Sequence, residues 1–425
     1  VPSLIPENLG RLLRVREFAL LWSGATVSLF GDGIYMVTIA WEVYRISNAP
    51  TALGVVAAAF SLPQVLFLVL GGVLSDRLDR RLVMLLGNAV SGVMIGTLGT
   101  LVLLNRIRLW EIVVLVVVYG ISQAFFLPAS RAIVPSLVQP DLLPQAMAVE
   151  QFVVPLTTSL VGPAVGGLLI AAGGTGFAFL IDAATFLVAA ATLAVMSSAR
   201  VVPSGEPSPS GRFAMLREAG QALSFIRGSR WIWAGLAAAG FANIALTGPL
   251  QVLVPYLIKY RLHSGPEVLG LFGACGGVGS ILAAAYVAWR GIPRRDVSWI
   301  FLSWAAGTAM LVPIGLAGAA WELLPLAFVL SIGISLGNLI WFARMGVLVP
   351  GYILGRVASF DMMVSFSLSP LSSAVTGPLA GVVGVRRLLI VAGGVTTIST
   401  LAFLLLPGLG RADPPAAAAP TEGNA

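Results

Sequence analysis

The chain has 425 residues, of which 58% are hydrophobic and 10% charged, and its mean hydropathy is +0.95. Soluble domains carry about 25% charged residues, so this inventory cannot build a water-facing surface and most of the surface must face lipid. The net charge of +7 comes from basic residues spread between apolar runs, which points to membrane topology rather than nucleic-acid binding, and one cysteine (Cys275) with one histidine (His263) excludes a disulfide framework, a zinc site and multi-histidine metal sites, and no cofactor is expected.

In chain order, residues 1–17 read as a cytoplasmic basic lead-in, not a signal peptide. Six apolar runs follow, at about 18–44, 51–75, 82–104, 109–135, 145–172 and 177–198, within a first half spanning 18–199. Residues 200–230 form a cytoplasmic linker. It holds the flexible SGEPSPSG at 204–211 and then an amphipathic interfacial helix over 213–227, with Phe213, Leu216, Gly220, Leu223 and Ile226 on one face. Six more runs, at about 231–258, 266–289, 297–318, 322–348, 357–383 and 387–407, make a second half spanning 231–408. Residues 409–425 are a low-complexity, disordered tail. Each run exceeds the roughly 20 residues that cross a bilayer. The expectation is an all-α membrane protein of twelve transmembrane helices.

With the N-terminus inside, 18 of the 25 Lys and Arg residues fall on the cytoplasmic side and 7 outside. The bias predicts both termini in the cytoplasm and an even number of spans, in a cell (plasma or inner) membrane.

Two internal matches share an offset. YRISNAPTALGV (44–55) aligns with YRLHSGPEVLGL (260–271) at 216, and GPAVGG (162–167) aligns with GPLAGV (377–382) at 215. They predict two pseudo-symmetric six-helix halves joined by the polar linker, an architecture that places a substrate site at the interface of the halves.

The loop between the second and third runs, GGVLSDRLDRRLVM (71–84), resembles the signature loop of the major facilitator superfamily. Gly72, Leu74, Asp76, Arg77, Arg80 and Arg81 match it, while Ser75 and Asp79 depart from it. GDGIYMVTIAWEVYRIS (31–47) and the PTALG after it resemble the branch containing macrolide-efflux and siderophore-export proteins. The resemblance implies the major facilitator fold and a cytoplasmic conformational gate. In that gate Gly72 lets helices approach closely, Asp76 latches one conformation and the arginines anchor to headgroups. The corresponding loop of the second half, RGIPRRD (290–296), keeps basic residues but lacks a counterpart to Asp76.

Ionisable residues at membrane depth are candidates for function. Asp32 lies near mid-membrane in the first run, and its counterpart by the shared offset is Gly248. Either it is a proton-coupling group, or it is a structural carboxylate bonded to backbone or Ser/Thr at a helix break between Gly31 and Gly33. Asp361 and Glu150 are further proton-coupling candidates, with pairing to Arg131, Arg344 or Arg356 as the structural alternative. Glu42 and Asp182 lie near the outer face, where Asp182 would serve its helix end. Arg131 and Arg344 are gating arginines. Gly162, Pro163, Gly377 and Pro378 allow bending or close packing. Tyr35 and Phe125 are candidates for the wall of a substrate cavity.

Together these features predict a secondary active exporter of lipophilic or amphipathic small molecules of drug, macrolide or siderophore type. It would work by alternating access with protons as coupling ion, as a monomer among membrane lipids. The alternative is a lipid or lysolipid transporter without proton coupling. With no dinucleotide loop, Walker loop or zinc triad, the chain is not expected to be an enzyme.

Overall fold

The apolar runs fold as helices because, in lipid, only intra-segment hydrogen bonds satisfy a spanning backbone. The computed structural model describes residues 10–12, 14–197, 212–291, 293 and 296–406. The first half holds α1 (Arg16–Ile46), α2 (Pro50–Arg77), α3 (Arg80–Leu103) and α4 (Leu109–Leu137), then α5 (143–173) and α6 (174–195). The linker helix α7 (Arg212–Gly228) precedes α8 (Arg230–Arg261), α9 (Pro266–Arg290), α10 (Asp296–Leu316), α11 (Ala320–Leu348), α12 (Ile353–Val383) and α13 (Val385–Phe403).

By length and composition, eleven helical segments among the described residues could span a membrane. One of them, Gln145–Val195, has 51 residues. At 1.5 Å per residue it would run about 75 Å, more than twice the roughly 30 Å hydrocarbon core. Gly174 divides it, with φ of 80° and ψ of 172°, a backbone state open in practice only to glycine. The segment is therefore two spans, α5 and α6, and the total is the expected twelve. Gly384, at φ 91°, makes the equivalent turn between α12 and α13.

Prolines open α2 and α9 in the first turn, where the missing N–H costs nothing. Asp79 caps α3, accepting from the Arg81 backbone N–H at 2.9 Å. This departure from the signature loop thus has a local role. The helix expected over 213–227 forms as α7. Its Ala222 and Ile226 are buried in an apolar cluster with Trp231, Ile300 and Val357, so it docks on the second half, while Leu223 stays exposed.

The apolar core has an uneven layout. At the end of the bundle away from the termini, one cluster joins both halves, from Ile34, Val43 and Tyr44 to Val252, Leu257 and Leu269. At the terminal end each half keeps a cluster of its own: Phe18, Met84 and Ile133 in the first, Trp231, Phe301 and Trp341 in the second. The apolar cores of the halves are therefore fused at one end and distinct at the other.

Candidate transport site and gates

The seam between the halves is built from the duplicated segments. A Cβ on Gly54 would lie 2.7 Å from the Ser373 carbonyl, and one on Gly377 would lie 2.5 Å from Thr51 Cα. The pseudo-symmetric contact sets α9 on α5, where a Cβ on Gly167 would lie 2.8 Å from the Pro266 carbonyl and 3.2 Å from Gly270 Cα. Gly162 and Pro163 follow a π-helical turn at Pro155–Val161, and Pro163 packs on Gly273. Such bulges re-aim a helix. Beside these contacts the Tyr44 hydroxyl donates to the Val252 carbonyl at 2.7 Å, and the Tyr260 hydroxyl to the Tyr44 carbonyl at 2.5 Å. Lys259 Nζ stands 4.8 Å over the Trp41 ring. Glu42 is fully buried at this end and accepts two bonds from Arg45, at 2.8 and 2.9 Å, and one from Thr175 at 2.6 Å.

At the terminal end the first half meets the second through Arg131, whose Nη1 donates to Met362 Sδ at 3.3 Å. Arg344 instead pairs within its own half with Asp296, the last residue of the RGIPRRD loop. Asp361 accepts from Trp341 Nε1 at 3.1 Å. Glu150 is half-buried.

In the signature loop, Arg80 donates to the Ala132 carbonyl at 2.8 Å. Arg81 donates to the carbonyls of Leu193 and Ala194 at 2.6 and 2.5 Å, which satisfies the open C-terminal end of α6. Gly72 does not serve close helix approach: a Cβ there would meet nothing within 4 Å. Its neighbour Gly71 is the tight one, 3.1 Å from Phe125 Cα by the same measure. The helical step of about 100° per residue turns Gly71 toward α4 and Gly72 away. Leu74 is exposed, and the side chains of Asp76 and Arg77 lie outside the described set.

Asp32 sits midway along the 31-residue α1. Tyr119 on α4 donates to its Oδ1 at 2.8 Å. The Tyr119 ring is clamped by Tyr35, Phe60 and Phe186, with centroids 5.2, 5.2 and 5.9 Å away. The helix break expected at Gly31–Gly33 is absent, and α1 is continuous there. Those glycines are contact points instead. A Cβ on Gly33 would lie 2.8 Å from Gly162 Cα on α5, and Gly31 is pressed against Asp182 and Thr185 on α6. Asp182 thus does not serve its helix end: it lies eight residues past Gly174 and is fully buried. Tyr35 is buried between Tyr119 and Phe179 inside the first half, and Phe125 faces Phe67 at 6.4 Å. In the second half, Gly248 takes the place of Asp32, and its N–H donates to Ser372 Oγ at 2.7 Å.

Residues 11–413 match the family model described as transmembrane secretion effector. The chain belongs to this family of the major facilitator superfamily. It is 26% identical to the multidrug efflux pump Tap of Mycolicibacterium fortuitum, over 87% of this chain and 89% of the relative. It is 26% identical to the enterobactin exporter EntS of Citrobacter koseri, over 95% of each. Macrolide efflux protein A of Streptococcus pyogenes is 24% identical over 59% of this chain and 61% of that protein. Among solved structures, the nucleoside transporter NupG superposes with a TM-score of 0.67 at 10% identity, over 92% of this chain and 98% of that one, a likeness of fold. This member of the superfamily is an integral membrane transporter and not an enzyme.

Proposed function

We propose that this transporter is a proton-coupled exporter of lipophilic or amphipathic small molecules that works by alternating access. The observation that carries this is the uneven core: one cluster fuses the halves at the far end while each half has a separate cluster at the terminal end. With the termini in the cytoplasm, as the arginine bias favours, the conformation is closed outward and parted inward, ready to receive a solute from the cytoplasm. The loop from Gly72 to Arg81 lies at that parted end and acts as the cytoplasmic gate. Arg131, which already touches the opposite half, acts with it.

Few charges stand at membrane depth, which suits a weakly polar cargo better than a sugar phosphate or dicarboxylate. Three relatives carry efflux or export names, for multiple drugs, enterobactin and macrolides, in line with outward transport of amphipathic molecules. Asp32 is the coupling group: a mid-span carboxylate, partly exposed, with a single hydroxyl donor and no basic partner among the described residues. The unit of function is the monomer, because the two halves of one chain enclose the path.

Transport into proteoliposomes with an imposed pH gradient tests this, using ethidium, erythromycin, enterobactin and a lysolipid. Gradient-driven movement of one of the first three is expected. Movement of the lysolipid alone, unaffected by the gradient, would support the lipid reading and defeat this one.

A further inference from the structure

Asp182 is the buried acid that the transport cycle above leaves without a task. It is fully buried, and its Oδ2 has no hydrogen-bond partner. Its Oδ1 is 3.5 Å from Thr185 Oγ1, but that hydroxyl lies only 2.7 Å from the Asp182 backbone carbonyl. A threonine hydroxyl has one hydrogen to donate, and the shorter bond takes it. The carboxyl group is thus left with no committed donor. An ionised carboxylate in that setting is strongly disfavoured, as a buried charge without its partner is.

The titratable groups that face Asp182 are Asp32 and Tyr35 on α1 and Tyr119 on α4. The other helix packed on α6 is α3, which has no titratable side chain between Leu82 and Leu103. Tyr119 commits its proton to Asp32. Among the described residues there is therefore a second carboxylate and no cation around Asp182. Two neighbouring carboxylates in a dry site cannot both ionise without a large penalty, so the proton content of one governs the other.

We infer that Asp32 and Asp182 form one two-carboxylate proton site inside the first half, in which Asp32 exchanges the proton and Asp182 sets whether Asp32 holds it. The division of labour follows from exposure: Asp32 is partly accessible and Asp182 is sealed. Gly31 is what brings them together, since a side chain there would collide with Asp182 and Thr185. When Asp32 releases its proton, the charge lands beside a carboxyl with no donor of its own. The site then favours reprotonation unless a solute compensates, which links proton binding to cargo. This inference rests on the proton-coupled reading.

The test compares wild type with Asp32→Asn, Asp182→Asn and the double variant, in proteoliposomes, with whichever of ethidium, erythromycin and enterobactin wild type carries. Each single variant is expected to lose gradient-driven transport at least tenfold, and the double variant to be no worse than either, because one site has been lost twice. Wild-type gradient-driven transport by Asp182→Asn would overturn the pair while leaving Asp32 as sole coupling group. Gradient-independent transport by wild type would instead sink the proton-coupled reading, and the pair with it. Should Asp182→Asn fail to accumulate, infrared pH titration of the carboxyl bands of wild type and Asp32→Asn decides. Loss of Asp32 should move the titration of the remaining buried carboxyl, and an unmoved midpoint would overturn the pair.

Discussion

Tyr44 and Tyr260, 216 residues apart and equivalent by the internal duplication, touch each other across the seam of the two halves. Their rings meet edge to face at 5.9 Å, and the hydroxyl of Tyr260 donates to the carbonyl of Tyr44. The equivalence is broken in use, because Tyr44 sends its own hydroxyl to the carbonyl of Val252 and not to that of Tyr260. One residue of the repeat has become both the donor and the acceptor of a latch. In the alternating-access cycle proposed above, such a contact belongs to one conformation and comes apart when the far end opens.

Removing either hydroxyl should weaken that closed end. A neutral hydrogen bond is worth about 1 kcal/mol, so Tyr44→Phe or Tyr260→Phe should shift the balance of states roughly fivefold toward far-end opening. The rate at which a water-soluble thiol reagent labels a cysteine placed at Val252, in a background lacking Cys275, reads this. Unchanged labelling in both variants would remove the latch.

Gly71 and Gly72 should respond in opposite ways to the same added methyl. Gly71→Ala drives a Cβ into the α4 backbone and should cost about 1–3 kcal/mol, whereas Gly72→Ala meets open space and should stay within about 0.5 kcal/mol. Thermal unfolding in detergent separates the two, and equal losses would contradict the packing described for α2.

Arg81→Ala should free the Leu193 and Ala194 carbonyls at the end of α6 and cost about 1.5–3 kcal/mol, the range of hydrogen bonds to charged groups. Arg81→Lys should recover only part of this, because an ammonium cannot reach two carbonyls as a planar fork does. Full recovery by lysine, read by the same unfolding assay, would show that only charge matters there.

Arg344→Ala should be more damaging, since it strands Asp296, which is 3% exposed. Breaking a buried pair from one side costs about 3–5 kcal/mol, and joint replacement by Arg344→Met and Asp296→Leu should lose less. A double variant less stable than Arg344→Ala would contradict a pair held by mutual need.

The span count and the two-half plan were legible because they rest on runs of apolar residues and on a shared offset. The offset is visible for a physical reason: the repeated Tyr-Arg, Leu-Gly and Gly-Pro residues form the seam, where Gly54 meets Ser373 and Gly270 meets Gly167. Even the division of Gln145–Val195 is written in Gly173, Gly174 and Gly176. What was not legible depends on how each helix is rotated about its axis. Nothing in the order of residues says that Tyr119 faces Asp32, that Asp182 lies against Gly31, or that Arg344 turns to Asp296 and leaves Asp361 to Trp341. Helical spacing in an apolar span assigns no inward face, because lipid-facing and core-facing residues are alike in character.

The central claim is that the far end opens and closes under the control of Asp32. Pulsed electron resonance distances between spin labels at Asn48 and His263, exposed positions on either side of the Tyr44–Tyr260 contact, report this directly in lipid nanodiscs. In wild type, a short separation should exchange population with a longer one between acidic and mildly alkaline buffer, and Asp32→Asn should hold a single fixed ratio at both. A wild-type distribution that ignores pH, or an Asp32→Asn protein that still follows it, would contradict the account.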